Sequence, residues 1–265
     1  MNKLIISEIN IYPVKSMGQI SLQQSQVEGY GLHLDRRWML VDSDGLMLTQ
    51  RKLPRMGLIQ PSFQQEQLIL SADGQDDMII PHIDSKQRSE VQVWNDHCQA
   101  LDCGDPAALW LGQFLDIQCR LVYFPQNEQR QVDLDYAQPG DHTAFSDGFP
   151  FLLISQASLD GLNNRLETPI EMKRFRPNIV VRGCQPHAED DWQGIVINGI
   201  EFRIVKPCSR CIIPNIEPAT AIIQKEPANT LAGYRKKNHR IFFGQNMIAQ
   251  QRGKITINDN VEILN

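Results

Sequence analysis

Two runs rich in β-branched residues, Gly194-Ile195-Val196-Ile197 and Ile200 through Val205, flank the pair Asn198-Gly199. Asn-Gly accepts the positive φ angles of a type I′ turn, so this segment is committed to a tight hairpin. Its second strand runs directly into Lys206 through Cys211. A sheet that delivers residues rigidly is better suited to presenting a ligand than a free loop.

The rest of the chain repeats the same grammar. Residues 3–12 read as an opening strand that ends at Tyr12-Pro13, followed by the polar loop Val14-Lys15-Ser16-Met17-Gly18. Trp38 to Val41 is a strand, Asp42 to Gly45 a turn and Leu46 to Thr49 the return strand. Short strands are expected at Gln67–Leu70, Met78–Ile80, Glu90–Trp94, Leu121–Phe124, Phe151–Ile154 and Asn178–Val181, and a closing hairpin joins Ile255–Ile257 to Val261–Ile263. Many short strands with Gly, Asp and Pro between them argue for small sheets or barrels. Two helices interrupt them. Asp105–Leu115 has proline at its first turn and Asp105 as a candidate cap, and Gln156–Leu166 follows Ser155 as N-cap. That helix start, beside a hydroxyl, is also a candidate anion contact. Residues 125–150, rich in Gln, Asp, Pro and Gly, read as a long mobile loop bearing on the site.

Charge narrows the function. At 265 residues and a net charge of −5 the chain has no overall basic field to hold nucleic acid. The N-terminal segment is interrupted by Ser7, Glu8 and Asn10, which suits a strand rather than a signal peptide. No apolar run nears the ~20 residues a bilayer-spanning helix needs. Six cysteines without a secretion signal fit reduced thiols, so the cytoplasm is the expected compartment.

The chemistry concentrates in Val205–Pro218, V-K-P-C-S-R-C-I-I-P-N-I-E-P. Cys208 and Cys211 flank Arg210, and fixed positive charge favours the thiolate, which binds soft metals or attacks electrophiles. Three other readings of C-x-x-C stand beside this one: half of a zinc site, a thioredoxin-like pair, or two small core residues. Zinc would need two further ligands at a familiar spacing, and the other cysteines offer none. A redox pair should open a helix, whereas Pro214 biases its predecessor toward extended chain.

K-P-C-S-R-C-I-I-P-N-I-E-P, with R-F-R-P-N-I-V-V and F-L-L-I-S-Q-A-S-L-D-G-L-N before it, resembles the MOSC domain. The earlier Y-P-V-K-S and L-D-R-R-W resemble the β-barrel domain that precedes it in the amidoxime-reducing-component branch. The resemblance covers nearly the whole chain in order. It implies a mainly β fold with a few helices (α+β): an N-terminal β-barrel-type domain over residues 1–120 and a β-barrel-like MOSC domain over residues 121–265.

It also implies a molybdenum cofactor, a molybdopterin completed by one protein thiolate. Carried over by position, Cys211 is the molybdenum ligand and the catalytic cysteine, with Ser209 and Arg210 beside metal and pterin. Lys15, Ser16 and Arg36 would hold the pterin and its phosphate, Ser155 would add an anion contact, and Arg176 and Asn178 would complete the cradle. Cys208 is expected to be structural. Arg37 could exchange roles with Arg36, and Arg174 could serve a salt bridge instead of the cofactor.

The implied activity is reduction of small N-oxygenated compounds such as hydroxylamines and amidoximes. The chain shows no C-x₄-C-x₂-C run and closes soon after its last expected hairpin, so the electrons are expected from a separate ferredoxin- or flavoprotein-type donor. A second reading belongs to another class: a sulfur carrier with a persulfide on Cys211, or a protein that binds and hands on the cofactor.

Overall fold

In the computed structural model, which describes residues 3–81, 83 and 88–264, the Asn198-Gly199 turn forms as expected. Both residues have positive φ (48° and 75°), and Ile197 pairs with Ile200 across it. Alternation along the two strands sends Ile195, Ile197, Ile200 and Phe202 into the core, all nearly or fully buried. Phe202 meets Phe151 edge-to-face, with centroids 5.3 Å apart.

This hairpin sits inside a nine-stranded sheet. Its spatial order runs Val261–Leu264, Gly194–Ile197, Ile200–Ser209, Arg240–Ala249, Phe151–Ser155, Ile179–Arg182, Ile5–Ile11 and Ile20–Leu22. Lys236–Lys237 adds a short ninth strand against Arg240–Ala249. Neighbours are antiparallel except Phe151–Ser155 with Ile179–Arg182, whose parallel pairing the Gln156–Asn163 helix makes possible as a crossover. A four-stranded sheet joins Trp38–Val41, Arg120–Tyr123, Asp96–Asp102 and Arg88–Val93, and a three-stranded one runs Gln60–Gln64, Gln67–Ser71 and Met78–Ile79. The fold is mainly β with a few helices. Strands from either side of residue 120 share two sheets, since Ile5–Ile11 pairs with Ile179–Arg182 and Gln24–Glu28 with Gly253–Thr256. Among the described residues no helix is long and apolar enough to cross a membrane.

Four local expectations need correction. The closing hairpin does not form: Gly253–Thr256 pairs with Gln24–Glu28, and Val261–Leu264 pairs with Gly194–Ile197. The turn between them is captured by the opening strand instead, where Ile6 donates to the Asp259 carbonyl and accepts from Asn258 N–H. Leu46–Thr49 is no strand and makes only single bridges, Met47 to Val41 and Leu46 to Gln92. The second helix stops at Asn163, whose side-chain amide turns to bond the backbone of Ile170. Asp105 lies in the first turn of the Asp105–Leu115 helix rather than capping it, and pairs with Arg120 at 2.7 Å.

Gly244 locks the centre of the large sheet. Its φ is +83°, and a Cβ there would lie 2.7 Å from Ile154 Cγ1 and 2.8 Å from the Leu153 carbonyl oxygen. Both neighbours belong to a fully packed strand and have little room to yield. Gly244→Ala is expected to lower unfolding free energy by about 1–3 kcal/mol, read from the urea midpoint.

Candidate functional site: a cation-lined cleft around an exposed thiol

The strand Ile200–Ser209 changes register twice against Arg240–Ala249, between Ile204 and Lys206 and between Pro207 and Ser209. Such bulges bend a strand and re-aim its side chains, and Pro207, which cannot donate to the ladder, is placed where the regular pattern breaks. The bent end leaves Cys208 half-buried and Cys211 exposed. Arg210 fixes this turn by donating its backbone N–H to Ile241 (2.8 Å). Its guanidinium donates to Cys208 Sγ (3.0 Å) and the Phe175 carbonyl (2.6 Å), while its Nε is buried without a partner.

These residues form one wall of a cleft of about 470 Å³, a volume in the range of small-molecule sites. Its cationic lining is Lys15, Arg36, Arg51, Arg176, Lys206 and Arg210, against the single carboxylate of Asp147. In a chain of net charge −5 this is a local reversal of sign. Buried cations in a cleft with low-dielectric walls focus a field that selects anions.

Two arginines lie over one ring. The Arg36 guanidinium lies 4.3 Å and that of Arg176 4.1 Å from the centroid of the buried Tyr12. Arg36 is oriented by Asp35 (2.6 Å) and by Asn178 Oδ1 (3.1 Å), and Arg176 by the Met17 carbonyl (2.6 Å). Burial and the neighbouring Arg36 charge pull Arg176 down to about 10. Ser16, Arg36 and Arg176 all have positive φ (70°, 48° and 59°). L side chains adopt that region at a cost, and such residues cluster at functional sites.

Across the cleft, Lys15 Nζ donates to the Phe145 carbonyl (2.8 Å) and to Asp147 Oδ1 (2.6 Å), and Arg51 takes the other carboxylate oxygen (2.6 Å). Burial brings Lys15 down to about 8, although Asp147 pulls the other way. For Asp147, desolvation would raise the carboxyl, but Lys15 and Arg51 override it and hold it well below the usual carboxylate range. Burial would lower Arg51, yet Asp147 and Cys211 together raise it. Arg51 is thus tied to the carboxylate in the cleft that also holds the thiol.

Residues 125–150 are fastened rather than mobile. Buried Arg130 donates to the carbonyls of Ala144 (2.9 Å), Ser146 (2.7 Å) and Asp147 (3.1 Å) and pairs with Asp96 (2.8 Å). Lys206 Nζ stacks on Tyr136 at 3.8 Å, and Arg203 holds Asp141 at 2.6 Å. The loop does bear on the cleft, through Ser146, Asp147, Gly148 and Phe149.

Of the residues singled out in the sequence, Lys15, Ser16, Arg36, Arg176, Asn178, Ser209, Arg210 and Cys211 line this cleft together. Ser155 does not. It is fully buried, its hydroxyl accepts from Ser158 N–H (3.1 Å), and its N–H donates to the Glu189 carboxylate (3.0 Å). A carboxylate already occupies the place an anion would take. Asn178 lines the cleft but spends its amide on Arg36, Leu152 N–H and the Asn10 carbonyl, so it positions Arg36. Arg37 turns away, buried against the Phe124 carbonyl (2.6 Å). Arg174 pairs with Glu217. Arg51, Trp94, Asp147 and Lys206 line the cleft without having been identified. Of these, Lys206, inside the delivered segment, and Asp147, inside the 125–150 loop, carried a signal.

Two domain families match the chain: the MOSC N-terminal beta barrel domain over residues 3–118 and the MOSC domain over residues 140–262. The chain is 35% identical to a protein of Mus musculus named mitochondrial amidoxime-reducing component 1, over 98% of this chain and 82% of that one. It is 34% identical to the Homo sapiens protein of that name, over the same shares. It is 36% identical to mitochondrial amidoxime reducing component 2 of Bos taurus, over 87% of this chain and 72% of the relative.

Because Lys15 loses its charge as pH rises through about 8, the cleft should hold anions less well above that pH. Sulfate affinity, measured by calorimetry, is expected to fall roughly tenfold across this step, the weight of one charge-assisted hydrogen bond. In Lys15→Met the step should be absent.

Proposed function

The chain belongs to the family of amidoxime-reducing components built from a MOSC N-terminal β-barrel domain and a MOSC domain, and from that premise we propose that it is a molybdenum-dependent reductase of N-hydroxylated compounds. The observation that carries the proposal is the exposed Cys211 thiol inside a cleft lined by six cationic groups, with the Nε of Arg210 buried and unpaired beside it. An orphaned buried donor asks for an acceptor. A planar, phosphate-bearing pterin would supply acceptors, and arginine forks with a lysine are the groups that recognise phosphate.

Among the described residues no cluster of three or more His, Cys, Asp or Glu side chains could hold a metal by itself. In this reading the protein gives molybdenum one soft thiolate, Cys211, which suits a metal whose other ligands come from a dithiolene. Lys15, Arg36, Arg176 and Arg210 would hold the anionic cofactor, with Ser16 and Ser209 adding polar contacts. Asn178 and Tyr12 keep Arg36 and Arg176 in place. When bound, the cofactor supplies the two-electron chemistry that removes oxygen from nitrogen.

The overall reaction takes R–NH–OH with two electrons and two protons to R–NH₂ and water. The electrons come from a separate ferredoxin- or flavoprotein-type donor. Lys15, held to Asp147 and drawn down to about 8, is suited to exchange protons near neutral pH, since a catalytic acid works best with a pKa near the operating pH. All six cysteines are free, which suits a reducing compartment, the cytoplasm in this reading.

Protein from a host that makes the cofactor is expected to carry molybdenum and pterin in equal amounts and to reduce a hydroxylamine with reduced methyl viologen. Cys211→Ala should lose at least about a hundredfold in turnover while its unfolding midpoint stays within the error of wild type. Unchanged turnover in that variant would remove Cys211 from the mechanism. A persulfide mass on Cys211 in metal-free protein would favour the sulfur-carrier reading.

A further inference from the structure

One large ring in the cleft, that of Trp94, has no charge to offer an anion. Trp94 sits in the two-residue turn between Arg88–Val93 and Asp96–Asp102, where Val93 pairs with Asp96. Its φ is +57°. A tight hairpin turn prefers Gly, Asn or Asp at such a position, and a bulky residue there is strained. The strain brings no burial, because Trp94 is 44% exposed.

What fixes the indole is the cleft. Its Nε1 donates to Asp147 Oδ1 (3.3 Å), and the Arg51 guanidinium lies 4.9 Å from the ring centroid. Arg51, Trp94 and Cys211 all line the same cleft. Phe149 also lines the cleft and is itself braced edge-to-face by Tyr136 at 6.0 Å. An indole ring held in a cleft whose polar groups are mostly cationic offers a flat π face in the same cleft as Cys211.

We propose that Trp94, with Phe149, is the specificity platform of the cleft, stacking the aryl group of an N-aryl-hydroxylamine or aryl amidoxime so that its N–OH points to Cys211. This rests on the reductase reading for the choice of substrate, and the platform itself is a claim about planar π ligands. A pterin ring is also planar, and the test separates the two.

The molybdenum-loaded enzyme is assayed with N-phenylhydroxylamine and N-methylhydroxylamine, using reduced methyl viologen. The ratio of kcat/KM, phenyl over methyl, is expected to fall roughly tenfold in Trp94→Ala and to recover in Trp94→Phe, as loss and return of one aromatic stack require. Molybdenum and pterin content should match wild type in both variants. Independently of turnover, aniline, the reaction product, should quench tryptophan emission in wild type and lose that quenching in Trp94→Phe. A ratio that does not move, or a pterin content that falls with the indole, overturns the proposal. Should wild type reduce neither substrate, the reductase reading fails, and the aniline titration alone decides the platform: no quenching ends it.

Discussion

Like charges do not gather without restraint, and the structure depends on how six cations are held in one cleft. The Tyr12 ring is the central restraint. It is buried, with the guanidiniums of Arg36 and Arg176 both over its ring, and this attraction adds to the Asp35 carboxylate that pairs with Arg36 and the Met17 carbonyl that takes Arg176. Asp147 does the complementary work on the other wall, where one carboxylate serves Lys15 and Arg51 together. A carboxylate for every cation would have neutralised the cleft. A ring, two acids (Asp35 on Arg36, Asp147 shared by Lys15 and Arg51) and a few backbone carbonyls hold the charges in place and leave a net positive field for a ligand.

The sheet supplies the second constraint, which is direction. The strand that leads to the thiol is paired on both edges over Ile200–Arg203 and against Arg240–Ala249 as far as Ser209, two residues before Cys211, and its two register shifts bend that end. Positive φ at Ser16, Arg36 and Arg176 turns three other side chains toward the same space. Positive φ and broken register occur elsewhere in the fold as well, as at the Ile6/Glu8 shift, but at these positions they aim side chains into the cleft.

Much of this was legible in the residues. Asn198-Gly199 specified its hairpin without help from the rest of the chain, because two residues decide the turn. The resemblance picked out Lys15, Arg36, Arg176, Arg210 and Cys211 from segments far apart, and these do meet. The failures are equally physical. Ser155 obeyed the local rule for a helix cap, but no local rule reveals that Glu189 folds in from another segment to occupy the place of an anion. Arg36 and Arg37 are neighbours of one type, and only the backbone angle at Arg36 decides which of them enters the cleft. The final hairpin lost to longer pairings that distant strands offered. Arg51 and Trp94 stand in a loop and a turn, where position comes from tertiary contacts and composition carries no mark of it, and Asp147 was marked only as part of a 26-residue loop.

The central claim is that the Cys211 sulfur is bonded to molybdenum. X-ray absorption at the molybdenum edge, on wild type and Cys211→Ser loaded with cofactor, reads this bond directly. The account predicts one sulfur fewer around the metal in the serine protein, with an oxygen in its place. The same number of sulfurs in both proteins would contradict it.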